Sequence, residues 1–282
     1  MNCPYCLCDR SDLFCTTTDK RFAYVECSRC QSVYLSPRPT SDQMLAVVEE
    51  SAASVQTHPD STGHLRMTEA YRGTWEENLG LTFGDLGMSS LKPGRVLDIG
   101  CGNGFFLDWM KRKGWETHGI DLYVRDGLEH EITKGDIRDR KLAGQDFDLI
   151  TMWDVLEHIP EPRQFLQATV SCMKPGGFLL IQSPCSGVIA RAYRGDWRML
   201  IVPHHCSLPS PSGLTEATHS AGLRLKGKIT FGAGMGDTGQ VPDRHRNAWN
   251  SIAKKLHVGD TVAVLLAKPG KDDDVSTQSF SG

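Results

Sequence analysis

Short apolar runs and amphipathic stretches alternate along the chain after Pro93. Runs rich in Val, Ile, Leu and Phe predict strands at residues 95–100, 117–121, 147–153, 178–183, 223–231 and 261–267. Apolar residues at helical spacing predict helices after Gly104, over residues 162–173 and around residues 247–256. Strands that alternate with helices favour a parallel sheet with right-handed crossovers, so this region is predicted to be an α/β domain.

The chain before Pro93 has a different pattern. Residues 1–40 are rich in cysteine and end at Pro37 and Pro39, which disfavour both helix and sheet and mark a boundary. Residues 41–92 are polar and helix-compatible, with Ser41 and Asp42 as an N-cap and a second helix around residues 66–79. We therefore expect a small module at 1–40, a helical linker or cap at 41–92, the main domain at 93–270 and a disordered tail at 271–282.

The net charge and the lengths of the apolar runs indicate which partners to expect. The net charge of −3 gives no general attraction to nucleic acid, which is therefore not the expected partner. The sequence has no apolar run of about 18 residues, and it opens on cysteines instead of a basic and apolar signal pattern. We expect a soluble, cytoplasmic protein without membrane insertion, and the oligomeric state stays open.

A glycine-rich loop follows the first strand of the main domain. Gly100, Gly102 and Gly104 stand at alternate positions, where glycine lets the backbone turn sharply and approach a ligand closely. Ligands of open parallel sheets bind at this carboxyl edge. Asp121 ends the next strand, where a Rossmann-type site places a carboxylate for ribose hydroxyls, although such an Asp is often only a helix cap.

Four motifs together resemble the class I S-adenosylmethionine-dependent methyltransferases. They are Val96-Leu97-Asp98-Ile99-Gly100-Cys101-Gly102-Asn103-Gly104, then Gly119-Ile120-Asp121, then residues 147–160 with Trp153-Asp154-Val155-Leu156-Glu157-His158, then Lys174-Pro175-Gly176-Gly177 before Leu179. The resemblance implies a Rossmann-like, seven-stranded, mostly parallel sheet with helices on both faces, and S-adenosylmethionine as cofactor. The matching cofactor positions are Asp98, Gly100, Cys101, Gly102, Asp121, Leu122, Asp136, Ile137 and Trp153.

The same resemblance assigns roles to these positions. Asp98 would lie near the methionine amino group, Asp121 would hold the ribose, Asp136 would contact the adenine edge and Trp153 would line the pocket. One departure is that the chain between Asp121 and Asp136 is short, so the helix usually found there is expected to be shortened or missing. Glu157 and His158 are expected to fix the loop and the helix start after the fourth strand, and a general base at this position is the less favoured alternative.

Cysteines in the first 30 residues form a second pattern. Cys3 with Cys6 and Cys27 with Cys30 are two Cys-x-x-Cys knuckles, which predict a closed, tetrahedral Cys₄ site for structural zinc. Cys8 and Cys15 are not needed for this site: both are expected to be buried free thiols, although Cys8 could be an alternate ligand in place of Cys6. A zinc ribbon ahead of this core resembles one bacterial group, whose members include enzymes acting on nucleotide-linked sugars and cell-surface precursors.

The insertion after the fifth strand is the expected wall for the methyl acceptor. It contains His204 and His205, either of which could be a general base or could bind loop carbonyls; His205 better fits the group's position. Basic and aromatic residues could hold an acceptor anion: Arg66, Tyr71, Arg191, Arg194 and Arg198.

Three functions are compatible with these motifs. The leading one is O- or C-methylation of a small or carrier-linked metabolite, such as a sugar or cell-surface precursor. The alternatives are an rRNA or tRNA base methyltransferase with a zinc ribbon, and a non-catalytic zinc-binding interaction protein. The net charge of −3 disfavours the RNA methyltransferase, and the intact glycine loop disfavours the non-catalytic protein.

Overall fold

The computed structural model describes residues 1–18, 20–57, 69–124, 128–232 and 243–270. The expected tail at 271–282 and Arg66 lie outside these ranges. The strands are β1 (Ser11–Thr16), β2 (Ala23–Cys27), β3 (Val33–Ser36), β4 (Arg95–Ile99), β5 (Glu116–Asp121), β6 (Glu131–Lys134), β7 (Phe147–Trp153), β8 (Met173–Pro184), β9 (Ser207–Leu208), β10 (Arg224–Phe231) and β11 (Thr261–Ala267). The helices are α1 (Ser41–Thr57), α2 (Glu69–Asp85), α3 (Phe105–Arg112), α4 (Pro162–Ser171), α5 (Val188–Tyr193), α6 (Pro211–Ser220) and α7 (Asp243–Leu256).

Seven strands form the main sheet in the order β10-β11-β8-β7-β4-β5-β6. Pairs among β6, β5, β4, β7 and β8 are parallel, whereas β11 is antiparallel to both β8 and β10. The carboxyl ends of the parallel strands therefore meet at one edge. This is the predicted Rossmann-like, mostly parallel seven-stranded sheet.

Alternating residues of the central strands enter two separate cores. Val96 and Leu149 pack into one core, whereas Leu97 and Ile150 pack into the other. Because side chains of a strand point alternately to opposite faces, continuous apolar runs are required where helices cover both faces. The unbroken run of β11, in which every residue is buried, has the same cause.

One local element differs from the predictions, and another agrees with them. The expected turn at Lys174–Gly177 lies within β8, where the pairing with β7 shifts register between Phe147 and Leu149 and Gly176 has a φ of 79°. The pairing with β7 skips residues 174–177, and Gly176 and Gly177 instead exchange backbone hydrogen bonds with Lys268, an irregularity that glycine permits. Between β5 and β6, the described residues contain no helix, as the short spacing predicts.

The N-terminal module forms a second sheet, ordered β1-β2-β3-β9. Its last strand comes from the insertion after β8, since Val33 pairs with Leu208 and Tyr34 with Ser207. The module thus shares its sheet with the main domain instead of standing apart. Among the helices described, none is both long and apolar enough to cross a membrane.

Candidate active site and metal centre

The glycine loop lies at the carboxyl edge of β4. Gly100, Gly102 and Gly104 have φ values of 73°, 49° and 73°, in the left-handed region that favours glycine. A Cβ on Gly100 would lie 2.6 Å from Cγ2 of Val155, so this position is closed. A Cβ on Gly102 would have no atom within 4 Å, so the loop presents an open face there. Such a face can receive a cofactor.

Asp121 is tied to this loop by backbone hydrogen bonds. Its Oδ2 accepts from the N–H of Gly102 at 2.9 Å, and its Oδ1 accepts from the N–H of Tyr123 at 2.9 Å. A carboxylate has about four acceptor sites, so two remain for ribose hydroxyls. Leu122 follows at half-buried exposure. The sequence did not reveal this fixing role of Asp121.

Asp98 is buried at the end of β4, and its Oδ1 accepts from Thr151 Oγ1 at 2.7 Å. Burial raises the pKa of Asp98 to about 8. Its carboxyl group is therefore largely protonated at neutral pH unless a cation is nearby. A methionyl ammonium group is a cation of the required kind.

Cys101 is a packing residue of the loop. A Cβ on Gly119 would lie 2.6 Å from the Cys101 sulfur, so this glycine makes room for the thiol. Burial raises the pKa of Cys101 well above its ordinary value, and the thiol is not activated.

Asp136 forms an ion pair near the end of β6. Its Oδ2 lies 2.7 Å from Arg138 Nη2, and its Oδ1 accepts from Arg138 Nε at 2.9 Å and from the Arg138 backbone N–H at 2.8 Å. Ile137 is 2% exposed and packs into the core. An adenine contact by Asp136 would have to share these oxygens with Arg138.

Trp153 stands at the end of β7 within an aromatic group. Its ring centroid lies 5.3 Å from that of Phe106 and 6.4 Å from that of Trp75. The indole Nε1 is buried and has no hydrogen-bond partner among the described residues. A buried donor without an acceptor is costly, so this group fits a site that a polar ligand completes.

Three titratable groups meet just beyond the end of β7. Ligand-capable atoms of Glu157, His158 and His205 lie within 4.8 Å of one another, and the two imidazole centroids are 5.0 Å apart. His205 Nδ1 donates to Met199 O at 2.8 Å, and His158 Nδ1 donates to His204 O at 2.8 Å. A neutral ring bound in this way carries its lone pair on Nε2, as a general base requires.

Glu157 is fully buried, with Oε2 accepting from Ser183 Oγ at 2.9 Å. Burial, and secondarily Asp154, raise the pKa of Glu157 well above its ordinary value. His204 lies beside His205, and burial lowers the pKa of its imidazole. The sequence did not show that Glu157 and His158 would meet His205, because the two segments are distant along the chain.

The arginines of the insertion bind the protein itself. Arg191 Nε donates to Glu26 at 2.9 Å, Arg194 Nη2 donates to the backbone oxygen of Phe14 at 2.9 Å, and Arg198 lies 3.9 Å from buried Asp260. An acceptor anion would therefore have to compete with these protein partners for the three arginines. Tyr71 lies in α2, where its side chain is outside the described atoms.

Four cysteines form a buried cluster in the N-terminal module. The sulfurs of Cys3, Cys6, Cys27 and Cys30 lie within 4.8 Å of one another, and the Cys3–Cys30 and Cys6–Cys27 pairs are 3.5 Å apart. Zn–S bonds of 2.3 Å in a tetrahedron give sulfur separations of about 3.8 Å, so this donor set fits zinc. Cys8, 3.7 Å from the backbone oxygen of Arg10, is outside the cluster.

Comparisons with known proteins agree with this geometry. A family model described as a methyltransferase domain matches residues 68–226, more than half of the chain. A ubiquinone biosynthesis O-methyltransferase from Paracidovorax citrulli is 31% identical over 157 residues, which cover 49% of this chain and 66% of that relative. The match thus spans slightly under two thirds of that relative's length.

Solved structures share the fold. An S-adenosylmethionine-dependent methyltransferase from Archaeoglobus fulgidus has a TM-score of 0.51 at 22% identity, covering 70% of this chain and 94% of that one. A 1,6-didemethyltoxoflavin-N1-methyltransferase from Burkholderia thailandensis has a TM-score of 0.54 at 14% identity, covering 90% and 98%. The methyltransferase family model, which covers more than half of the chain, together with the glycine loop, the strand-end acids and the sheet order, shows that the chain belongs to the class I S-adenosylmethionine-dependent methyltransferase family.

Proposed function

We propose that this protein methylates a hydroxyl oxygen of a small-molecule acceptor, with S-adenosylmethionine as methyl donor. The observation that carries the proposal is the arrangement at one sheet edge. The open loop at Gly102 and the acids Asp98 and Asp121 lie on one side, and His205 with Glu157 lies beyond β7. The name of the relative described above supports oxygen over carbon as the acceptor atom.

Each cofactor residue has a separate task in this proposal. Asp98 would face the ammonium group, Asp121 would bind the ribose hydroxyls and the loop at Gly100, Cys101 and Gly102 would pass the methionyl and ribose parts. Leu122, Asp136 and Ile137 would flank the adenine. The unpartnered Trp153 N–H would donate to a polar group of the bound ligands.

Bound S-adenosylmethionine supplies an electrophilic methyl group on a positively charged sulfur, so alignment of the acceptor accounts for much of the rate. His205 would take the hydroxyl proton on Nε2 while Nδ1 stays bound to Met199 O. His204 would have no chemical role of its own; its backbone oxygen would hold the imidazole of His158 in place. Glu157, whose pKa burial raises well above its ordinary value, would lie beside His158 and His205.

For the acceptor we propose a small or carrier-linked metabolite, such as a sugar or cell-surface precursor. Trp197 of the insertion is 2% exposed, and its Nε1 donates to Asp260 Oδ2 at 3.3 Å. The insertion therefore offers no support for stacking at this residue. We further propose structural zinc at the four cysteines and a cytoplasmic location, which fits ten cysteines of which none forms a disulfide.

Calorimetric titration with S-adenosylhomocysteine tests the cofactor site. Replacing Asp121 with Ala should weaken binding by about 1–3 kcal/mol, because polar partners are left unpaired. Gly102→Val should abolish binding, because its side chain would fill the open face. Gly144→Val is the matched control, since Gly144 has a φ of 76° and an equally open Cβ position outside the loop.

One result would overturn the proposal, and another would remove Gly102→Val as evidence for it. One is binding of a nicotinamide dinucleotide in place of S-adenosylhomocysteine. The other is an equal loss of affinity in the Gly144→Val control, which would mean that Gly102→Val acts through general strain. With binding established, a panel of hydroxyl-bearing small molecules, followed by release of S-adenosylhomocysteine, would identify the acceptor.

A further inference from the structure

The insertion that carries His205 completes the sheet of the cysteine module. β9 follows His205 by one residue and pairs with β3, and the backbone N–H of Leu35 donates to Cys206 O at 3.0 Å. The catalytic candidate is thus joined to the N-terminal module by main-chain hydrogen bonds. No hydrogen bond found in the described structure joins that module to the loop at Gly100–Gly104.

Two buried tyrosines of the module reach the same segment. Tyr24 Oη donates to the backbone oxygen of His205 at 2.9 Å, and Tyr5 Oη donates to Ser207 O at 2.8 Å. Both tyrosines are 0% exposed. Since Tyr5 lies between Cys3 and Cys6, its backbone belongs to the first cysteine knuckle.

The second knuckle supports the far end of the insertion. The backbone oxygen of Cys30 accepts from Ser210 Oγ and, at 2.9 Å, from Ser212 Oγ. The N–H of Ser210 donates to Ser32 Oγ at 2.9 Å. The N-cap of α6 therefore rests on the residues around Cys30.

On its other side, the insertion is bound to the loop after β7. Ser207 Oγ donates to Ile159 O at 2.9 Å, and His204 O accepts from His158. His205 is thereby held between the module and the segment that carries Glu157 and His158. Two separate anchors of this kind can fix the direction of an imidazole.

We propose that the metal-bearing module positions His205, with Tyr24 and Tyr5 as positioning residues. The inference rests on the proposed role of His205 as general base and extends it. Metal bound by the four cysteines would fix both knuckles, and the knuckles would fix the segment from His205 to Ser212. Loss of the metal should disturb the acceptor side while the cofactor side keeps its affinity.

Nitrogen NMR of ring-labelled histidines in the full chain tests this proposal without an acceptor. The bond from His205 Nδ1 to Met199 O requires the Nδ1–H tautomer, which differs from the Nε2–H form usual in water. His205→Gln identifies the signal by its disappearance. Tyr24→Phe should move this signal toward the Nε2–H position, while the dissociation constant of S-adenosylhomocysteine stays within about twofold.

Zinc removal by a chelator should produce a larger shift of the same signal. Tyr193→Phe is the matched control, because Tyr193 lies in the same insertion but is 41% exposed. An unchanged His205 signal in both Tyr24→Phe and the metal-free protein would overturn the proposal. If His205→Gln retains full turnover, the base assignment fails, whereas the NMR result still decides the positioning role.

Discussion

At the scale of single residues, Asp98 shows how strongly the pKa of a carboxyl group depends on its surroundings. Its carboxyl group is buried, and its pKa is raised to about 8. Between about pH 4 and pH 8 the folded protein holds a proton that the unfolded chain has lost, so Asp98 lowers stability as the pH rises through this window. A bound ammonium group would reverse the effect by favouring the ionised form.

Cofactor binding is therefore expected to release a proton from Asp98 below pH 8. The affinity for S-adenosylhomocysteine should rise with pH up to about 8 and then level off. Calorimetry in buffers of different ionisation enthalpy measures the released proton. In Asp98→Asn, which has no proton to lose, proton release should vanish; unchanged release in this variant would contradict the assignment.

His205 carries the prediction on catalysis. If it removes the acceptor's proton, His205→Gln should lower turnover by about 10²–10⁴ with nearly constant cofactor affinity, because a general base acts in the transition state. His204→Gln, the neighbouring control, should have a much smaller effect, because His204 contributes a backbone oxygen to His158. Wild-type turnover in His205→Gln from pH 6 to 9 would exclude the base and favour alignment alone.

At the scale of elements, the predicted strands agree closely with the observed ones where both faces are buried. β7 and β11 have the predicted bounds. Their continuous apolar runs are buried on both faces of the sheet, so each run ends where the strand ends. β8 begins five residues earlier than predicted, because Met173 pairs with Phe147 and the backbone groups of Gly176 and Gly177 hydrogen-bond to Lys268. The sequence of a turn-forming segment gives no sign of the tertiary contacts that can keep it within a strand.

The cysteine module carries a prediction at this scale. Purified protein should contain one zinc per chain, bound by Cys3, Cys6, Cys27 and Cys30. A Cys27→Ser, Cys30→Ser variant should lose the metal and the order of the residues around both knuckles, because the metal is what would join Cys3 and Cys6 to this second knuckle. The affinity for S-adenosylhomocysteine should remain close to that of the wild type.

Metal analysis and calorimetry decide this prediction. Cys8→Ser is the control, because Cys8 lies outside the cluster and should be dispensable for metal. Protein prepared without chelator that contains no zinc would contradict the site. Full metal retention in the double variant would contradict the choice of ligands.

At the scale of the whole molecule, the sequence alone determined the features that depend on local pattern. Periodicity predicted the alternation of strands and helices, the Gly100–Gly104 loop predicted a ligand edge, and the paired knuckles predicted four clustered cysteines. Each of these signals lies within a short stretch of chain, where spacing and residue type are sufficient. The tertiary structure decided what distant segments do to one another. In the folded chain His205 lies beside Glu157 and His158, β9 belongs to the N-terminal sheet, and the pKa of Asp98 is raised. Strand pairing, burial and electrostatic surroundings depend on contacts between distant residues, which a local sequence pattern does not contain.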